Sequence, residues 1–195
     1  MLLQQYVRRS SQEAEADSRE LNLVLADYNR SVLEVATIPN LLLTWATSLS
    51  SSLIDRSLDL TSFVRVSFLK YLSSHNINIS VISGGWSPTL TDLLVSNMRV
   101  VDGADVLILA SETIYSPTTV RLFTDVLLHL LAAVQRKGGH PTALVAAKKV
   151  YFGVGGSLDG FLNILRGCGG QSEIVWQSED MGVGRVIVKV RRTDA

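Results

Sequence analysis

An α/β fold assembled from parallel βαβ units is what this sequence predicts, and three observations predict it. Apolar runs of strand length alternate with helix-patterned segments along the chain. One run, residues 105–110 (DVLILA), is continuously apolar, as expected for a strand covered on both faces. Glycines close the segments: Gly84-Gly85 after one strand, Gly138-Gly139 and Gly167 after helices.

The elements follow in order. Residues 21–26 (LNLVLA) form a short apolar strand ending at Asp27. Asn29 or Ser31 then caps a helix that reaches residue 48 or so, kinked or restarted at Pro39. Residues 50–76 have a serine-rich approach and a helical pattern around 60–72. A second strand, 77–82 (INISVI), is followed by a short helix at 89–97 and the DVLILA strand. Residues 117–136 make a long helix with Pro117 near its start, where a missing N–H costs little. A strand at 142–147 and a helix at 158–166 come next. The chain finishes with two strands, 172–177 and 185–190, turned around Gly182 and Gly184 and expected to be antiparallel. The polar stretch at 10–20 reads as a solvated connector.

Composition narrows the function classes. At 195 residues the chain has the size of one domain, expected to span 1–195, and 47% hydrophobic against 18% charged residues marks a compact globule. Lysine plus arginine and aspartate plus glutamate stand at 18 each, so there is no electrostatic footprint for nucleic acid or for an acidic membrane. The short basic end at 188–192 reads as a strand terminus. The single cysteine, Cys168, excludes a disulfide framework and a cysteine zinc site. His75, His129 and His140 lack metal-ligand spacing, so no metal is expected. The start, MLLQQYVRR, is no secretory signal, and no stretch of about 18 uninterrupted apolar residues suggests a membrane span. The expectation is a soluble intracellular monomer.

In an open parallel sheet, ligands bind beyond the carboxyl ends of the strands. Those ends deliver Asp27-Tyr28-Asn29, then Gly84-Gly85-Trp86, then residues 111–115 (SETIY), then Lys148-Lys149 with residues 151–156 (YFGVGG). Asp27 is placed like the acidic residue that accepts hydrogen bonds from ribose hydroxyls, and equally like a helix cap. Trp86 follows two glycines that let a ligand approach the backbone; it reads either as a stacking platform worth about 1–3 kcal/mol to a base or as a core tryptophan. Glu112 suits a carboxylate that orients a nucleophile or takes its proton, or a plain salt bridge. Gly153, Gly155 and Gly156 lack the GKS/T ending of a P-loop and read as a sharp backbone turn beside a substrate.

The strings ADYN (26–29), TIPN (37–40), SGGWS (83–87), SETIYSP (111–117) and AKKVYFGVGG (147–156) resemble, in the same order, those of the protein-histidine N-methyltransferases. The resemblance is close over residues 21–156, and SETIY with YFGVGG carries its specificity. It implies a Rossmann-like, seven-strand methyltransferase sheet and S-adenosyl-L-methionine as cofactor. It implies that Asp27, Tyr28 and Asn29 lie by the ribose, that Gly84, Gly85 and Trp86 lie around the adenine, and that Ser111 lies near the reacting end. Glu112 and Tyr115 would face the substrate as catalytic residues, with Tyr151, Phe152, Gly153, Gly155 and Gly156 lining its pocket. The family's substrate is a histidine of a large-subunit ribosomal protein, so the resemblance implies a protein partner and a place in cytoplasm and nucleus.

The chain departs from the family in three places. Gly85 stands where some members carry a carboxylate, and Ser157 where some carry a third glycine. The glycine-rich loop that follows the family's first strand does not precede Leu21. The resemblance therefore implies a sheet lacking its first strand, which would lie between the strands at 21–26 and 105–110. Such a chain is expected to be marginally folded and to bind the cofactor poorly. A protein-lysine methyltransferase of the same fold and a non-catalytic interaction module stay open as alternatives.

Overall fold

The computed structural model describes residues 20–49, 62–178 and 184–193. The chain divides into two compact units, Met1–Gly85 and Trp86–Ala195.

In the first unit, β1 (Leu21–Asp27) and β2 (Ile77–Ser83) pair in parallel, with Leu21 opposite Ile77 and Asp27 opposite Ser83. Among the described residues, two helices come between them in the chain. The first, α1, starts at Arg30–Val32, passes through a π-helical turn at Leu33–Thr37 and continues as Ile38–Leu49. The π turn has a cause in the sequence. Pro39 has no N–H for the regular ladder, and just before it the Ile38 N–H reaches back to the Leu33 carbonyl. The restart expected at Pro39 thus takes the form of a wide turn. The second helix, α2 (Ser62–Ser74), faces Trp45 of α1 with Phe68 and Tyr71, at ring-centroid distances of 5.3 and 6.1 Å. Among the described residues of this unit, Leu33, Leu42, Trp45, Ala46 and Ile77 are the buried apolar ones.

The second unit holds α3 (Pro88–Asn97), β3 (Asp105–Ser111), α4 (Pro117–Arg136), β4 (His140–Lys148), α5 (Leu158–Gly167), β5 (Gly170–Gln177) and β6 (Arg185–Arg192). Its four strands run in the order β3-β4-β6-β5. β3 and β4 are parallel, while β6 is antiparallel to both β4 and β5. The last two strands are therefore the antiparallel pair expected. Alternation places Ala143, Val145 and Ala147 of β4 and Val186, Val188 and Val190 of β6 in the core with Phe123, Leu127 and Leu131 of α4 and Phe161 and Leu165 of α5. Helix α4 is long and apolar enough to cross a bilayer by length and composition. Its apolar side is nonetheless spent on this core, as in a soluble core helix.

The strands form two sheets, of two and four strands. Among the described residues β1 pairs only with β2 and β3 only with β4, so each has one open edge. The strands also run one to two residues longer than the apolar runs at most ends, because Asp27, Ser83, Ser111 and Lys148 still pair although they are polar. The N-terminal segment 1–19, most of the serine-rich approach to α2 and the turn at Gly182 lie outside the described residues.

Candidate functional site

The strand ends of each unit carry the residues singled out from the sequence. In the first unit, Asp27 ends β1 and its main-chain carbonyl accepts the Gly84 N–H at 3.1 Å, tying the β1 and β2 ends together. Asp27 Oδ1 accepts the Asn29 N–H at 2.7 Å. Asn29 in turn caps α1, its side-chain oxygen accepting the Ser31 N–H at 2.9 Å. The capping duty thus belongs to Asn29. Tyr28 is 77% exposed. Gly85 lies beside its ring, where an added Cβ would rest at an ordinary 3.5 Å. Gly84 and Gly85 thus join Asp27, Tyr28 and Asn29 in one strand-end group.

In the second unit, Trp86 is partly buried and its ring meets Phe123 edge-on at 5.3 Å, packed against the core cluster. The following Ser87 caps α3, accepting the Leu90 N–H at 3.2 Å.

Ser111 ends β3 opposite Ala146 of β4, and the Glu112 N–H continues the ladder to the Ala146 carbonyl at 3.0 Å. There the backbone turns. Glu112 has φ +55°, a left-handed conformation that a side chain with a Cβ adopts only at a cost. Thr113 Oγ1 is buried without a hydrogen-bond partner among the described residues. Ile114 is sealed into the core, whereas Tyr115 is half-exposed.

The residues after β4 fold onto this loop. The Gly156 N–H donates to the Tyr115 carbonyl at 3.0 Å, and the Tyr151 N–H donates to the Gly156 carbonyl at 2.9 Å. Glycine is needed at 156, because a Cβ would land on the backbone of Ile114 and Tyr115. Gly153 and Gly155 have φ near +80°. The loop raises Phe152 (80% exposed) and Val154 into solvent while Tyr151 is buried. SETIY and YFGVGG are thus held backbone to backbone as one surface.

Polar side chains meet at its inner end. Lys148 Nζ lies 3.8 Å from Glu112 Oε2 and 5.6 Å from the centre of the Tyr151 ring. The Tyr151 hydroxyl accepts the Lys148 backbone N–H at 3.2 Å. Burial raises the Tyr151 phenol above its ordinary range; Glu112 adds to the rise, and the Lys148 N–H bond and Arg185 oppose it. Sequence reasoning placed Lys148 at this edge without giving it a role. Its pairing with Glu112 depends on the parallel register of β3 and β4, which composition does not reveal. Val154 was also passed over, and its only signal was an apolar residue between glycines.

The donor set of the first unit fits the nucleoside half of S-adenosylmethionine: a carboxylate oxygen for ribose hydroxyls, an exposed tyrosine ring and a glycine pair at one strand end. No group of three or more metal-ligating side chains occurs among the described residues.

No protein-family model matches the chain. Among curated proteins it is 36% identical over 162 residues to Histidine protein methyltransferase 1 of Saccharomyces cerevisiae, covering 74% of this chain and 41% of that protein. It is 36% identical over 139 residues to the protein of the same name from Schizosaccharomyces pombe, covering 70% and 38%. Among solved structures, a chain described as a pericyclic reaction enzyme aligns with a TM-score of 0.42 at 9% identity, over 96% of this chain and 47% of that one. The chain spans about two fifths of the length of the curated relatives it matches. Its sequence, through most of its length, belongs to the histidine protein methyltransferase family.

Proposed function

We propose that the protein of which this sequence is read is an S-adenosylmethionine-dependent protein-histidine methyltransferase acting on a large-subunit ribosomal protein in cytoplasm and nucleus. The observation that carries the reading is the surface formed by SETIY and YFGVGG, in a chain 36% identical to two proteins named for histidine methylation.

The cofactor, when bound, supplies an electrophilic methyl carbon on a sulfonium. In the first unit Asp27, Tyr28, Asn29, Gly84 and Gly85 would hold its nucleoside half; for Trp86 and Ser111, in the second unit, a cofactor role rests on the family resemblance alone. The remaining work falls to the acceptor side. A neutral imidazole is already abundant at neutral pH, since histidine titrates near 6.5, so no strong base is required. Orientation is the larger demand. Glu112 suits this task, because a carboxylate accepts the N–H of one ring nitrogen and so leaves the lone pair on the other. Tyr115, Phe152 and Val154 offer exposed apolar surface to the polypeptide around the target histidine, and Tyr151 with Gly153, Gly155 and Gly156 shapes the loop that presents it.

The test is incubation of the protein at the full length of its relatives, with this chain beside it for comparison, with methyl-labelled S-adenosylmethionine and large-subunit ribosomal proteins, followed by acid hydrolysis and amino-acid separation. Label in methylhistidine is the expected result. Label in methyllysine would move the function to the lysine enzymes of the same fold. No label, with no cofactor heat in calorimetry, would leave a non-catalytic interaction module.

A further inference from the structure

We propose that Lys148 is a positioning residue that fixes the Glu112 carboxylate at the acceptor side of the site, using Tyr151 as its support. The inference rests on the histidine-methyltransferase reading for its chemical purpose, though not for its geometry.

Three features converge on it. First, Glu112 enters a left-handed turn at φ +55° at the end of β3, where glycine would be free of strain. A carboxylate kept at such a position points to a use for that carboxylate. Second, Lys148 is the last residue of the neighbouring strand β4, and its ammonium lies 3.8 Å from Glu112 Oε2. Both side chains are partly exposed, and a pair of this kind adds little to folding. Third, the lysine is itself steered. Its ammonium stands over the Tyr151 ring at 5.6 Å, and its backbone N–H is bonded to the Tyr151 hydroxyl. Tyr151 is buried by the YFGVGG turn, so the loop that closes on SETIY also sets the lysine. Lys149, one residue on, packs its stem beside Gly184 and serves as the control.

A carboxylate that accepts an imidazole N–H must present an oxygen in one direction. With Lys148 at Oε2 and the Tyr151 hydroxyl beside the same carboxylate, the group is held in one orientation for the acceptor ring. Loss of the lysine would free Glu112 to rotate, which costs orientation more than binding.

The test is a set of variants of the full chain, Lys148→Met, Lys148→Arg, Glu112→Gln, Lys149→Met and the Lys148→Met/Glu112→Gln double variant. The first readout needs no turnover. It follows the Tyr151 phenol by ¹³C NMR through alkaline pH. The groups acting on that phenol are Lys148, Glu112 and Arg185. Removing the Glu112 charge should lower the Tyr151 titration in the parent chain. It should lower it much less when Lys148 is methionine, because Glu112 is then no longer held nearby. An equal response in both backgrounds would overturn the proposal.

The second readout is methyl transfer to a histidine peptide. Lys148→Met should lower kcat about tenfold with KM within about twofold. Lys148→Arg should restore most of it, Lys149→Met should change nothing, and the double variant should be no worse than Glu112→Gln. Additive losses, or no rescue by arginine, would also overturn the proposal. Absence of methylhistidine with the parent chain sinks the functional reading alone, and the phenol titration still decides whether Lys148 holds Glu112.

Discussion

Glu112 and Thr113 show how this surface sets stability against use. One holds a side chain in a left-handed backbone, and the other buries a hydroxyl with no partner among the described residues. A non-glycine residue in this region costs about 1–2 kcal/mol, part of which glycine would return as lost chain entropy. Glu112→Gly is therefore expected to raise the stability of the chain by up to about 1 kcal/mol while abolishing methyl transfer. Denaturant melts beside the histidine-labelling assay measure both. A destabilised variant would show that the turn is not strained. Asn76 is the other described non-glycine residue with positive φ, at +52°, and it is no such signal. Asparagine tolerates this region, and the residue merely closes the turn from α2 into β2.

At the scale of elements, the serine that departs from the family pattern has a structural duty. Ser157 caps α5, its hydroxyl accepting the Gly160 N–H at 3.1 Å. Its extended backbone, φ −154°, makes no demand for glycine. Ser157→Ala should cost about 0.5–2 kcal/mol, and Ser157→Gly only a few tenths, because glycine is nearly as good a cap. Thermal melts of the two variants would separate capping from loop shape; a large loss with glycine and none with alanine would assign Ser157 to something other than the cap. The same logic of local chemistry accounts for α1, where Asn29 starts the helix and Pro39 widens it.

At the scale of the whole molecule, the open strand edges matter most. β3 has no partner on one side among the described residues, and Leu107 and Leu109 are 50% and 57% exposed. An apolar strand with unpaired N–H and C=O groups is a template for another chain. The chain is expected to self-associate with concentration, and Leu109→Lys should suppress this while moving stability by no more than about 0.5 kcal/mol. Light scattering against concentration, with a melt on the same samples, is the measurement. Unchanged scattering would mean that β3 is not the adhesive edge.

The sequence by itself determined the local and covalent facts: where strands and helices lie, which residues cap them, and which strings tie the chain to its family. Those follow from periodicity, from the missing N–H of Pro39 and from a side chain such as Asn29 that bonds within a few residues. It also marked most of the candidate site, because ligands favour the carboxyl ends of parallel strands and those ends are polar here. The tertiary structure decided what depends on register and backbone direction. The division of the strands into two sheets, the pairing of Lys148 with Glu112, and the docking of Gly156 on Tyr115 join residues 36 to 41 positions apart or set whole strands side by side. No local pattern encodes such contacts, since they arise only when packed strands bring distant ends to one edge.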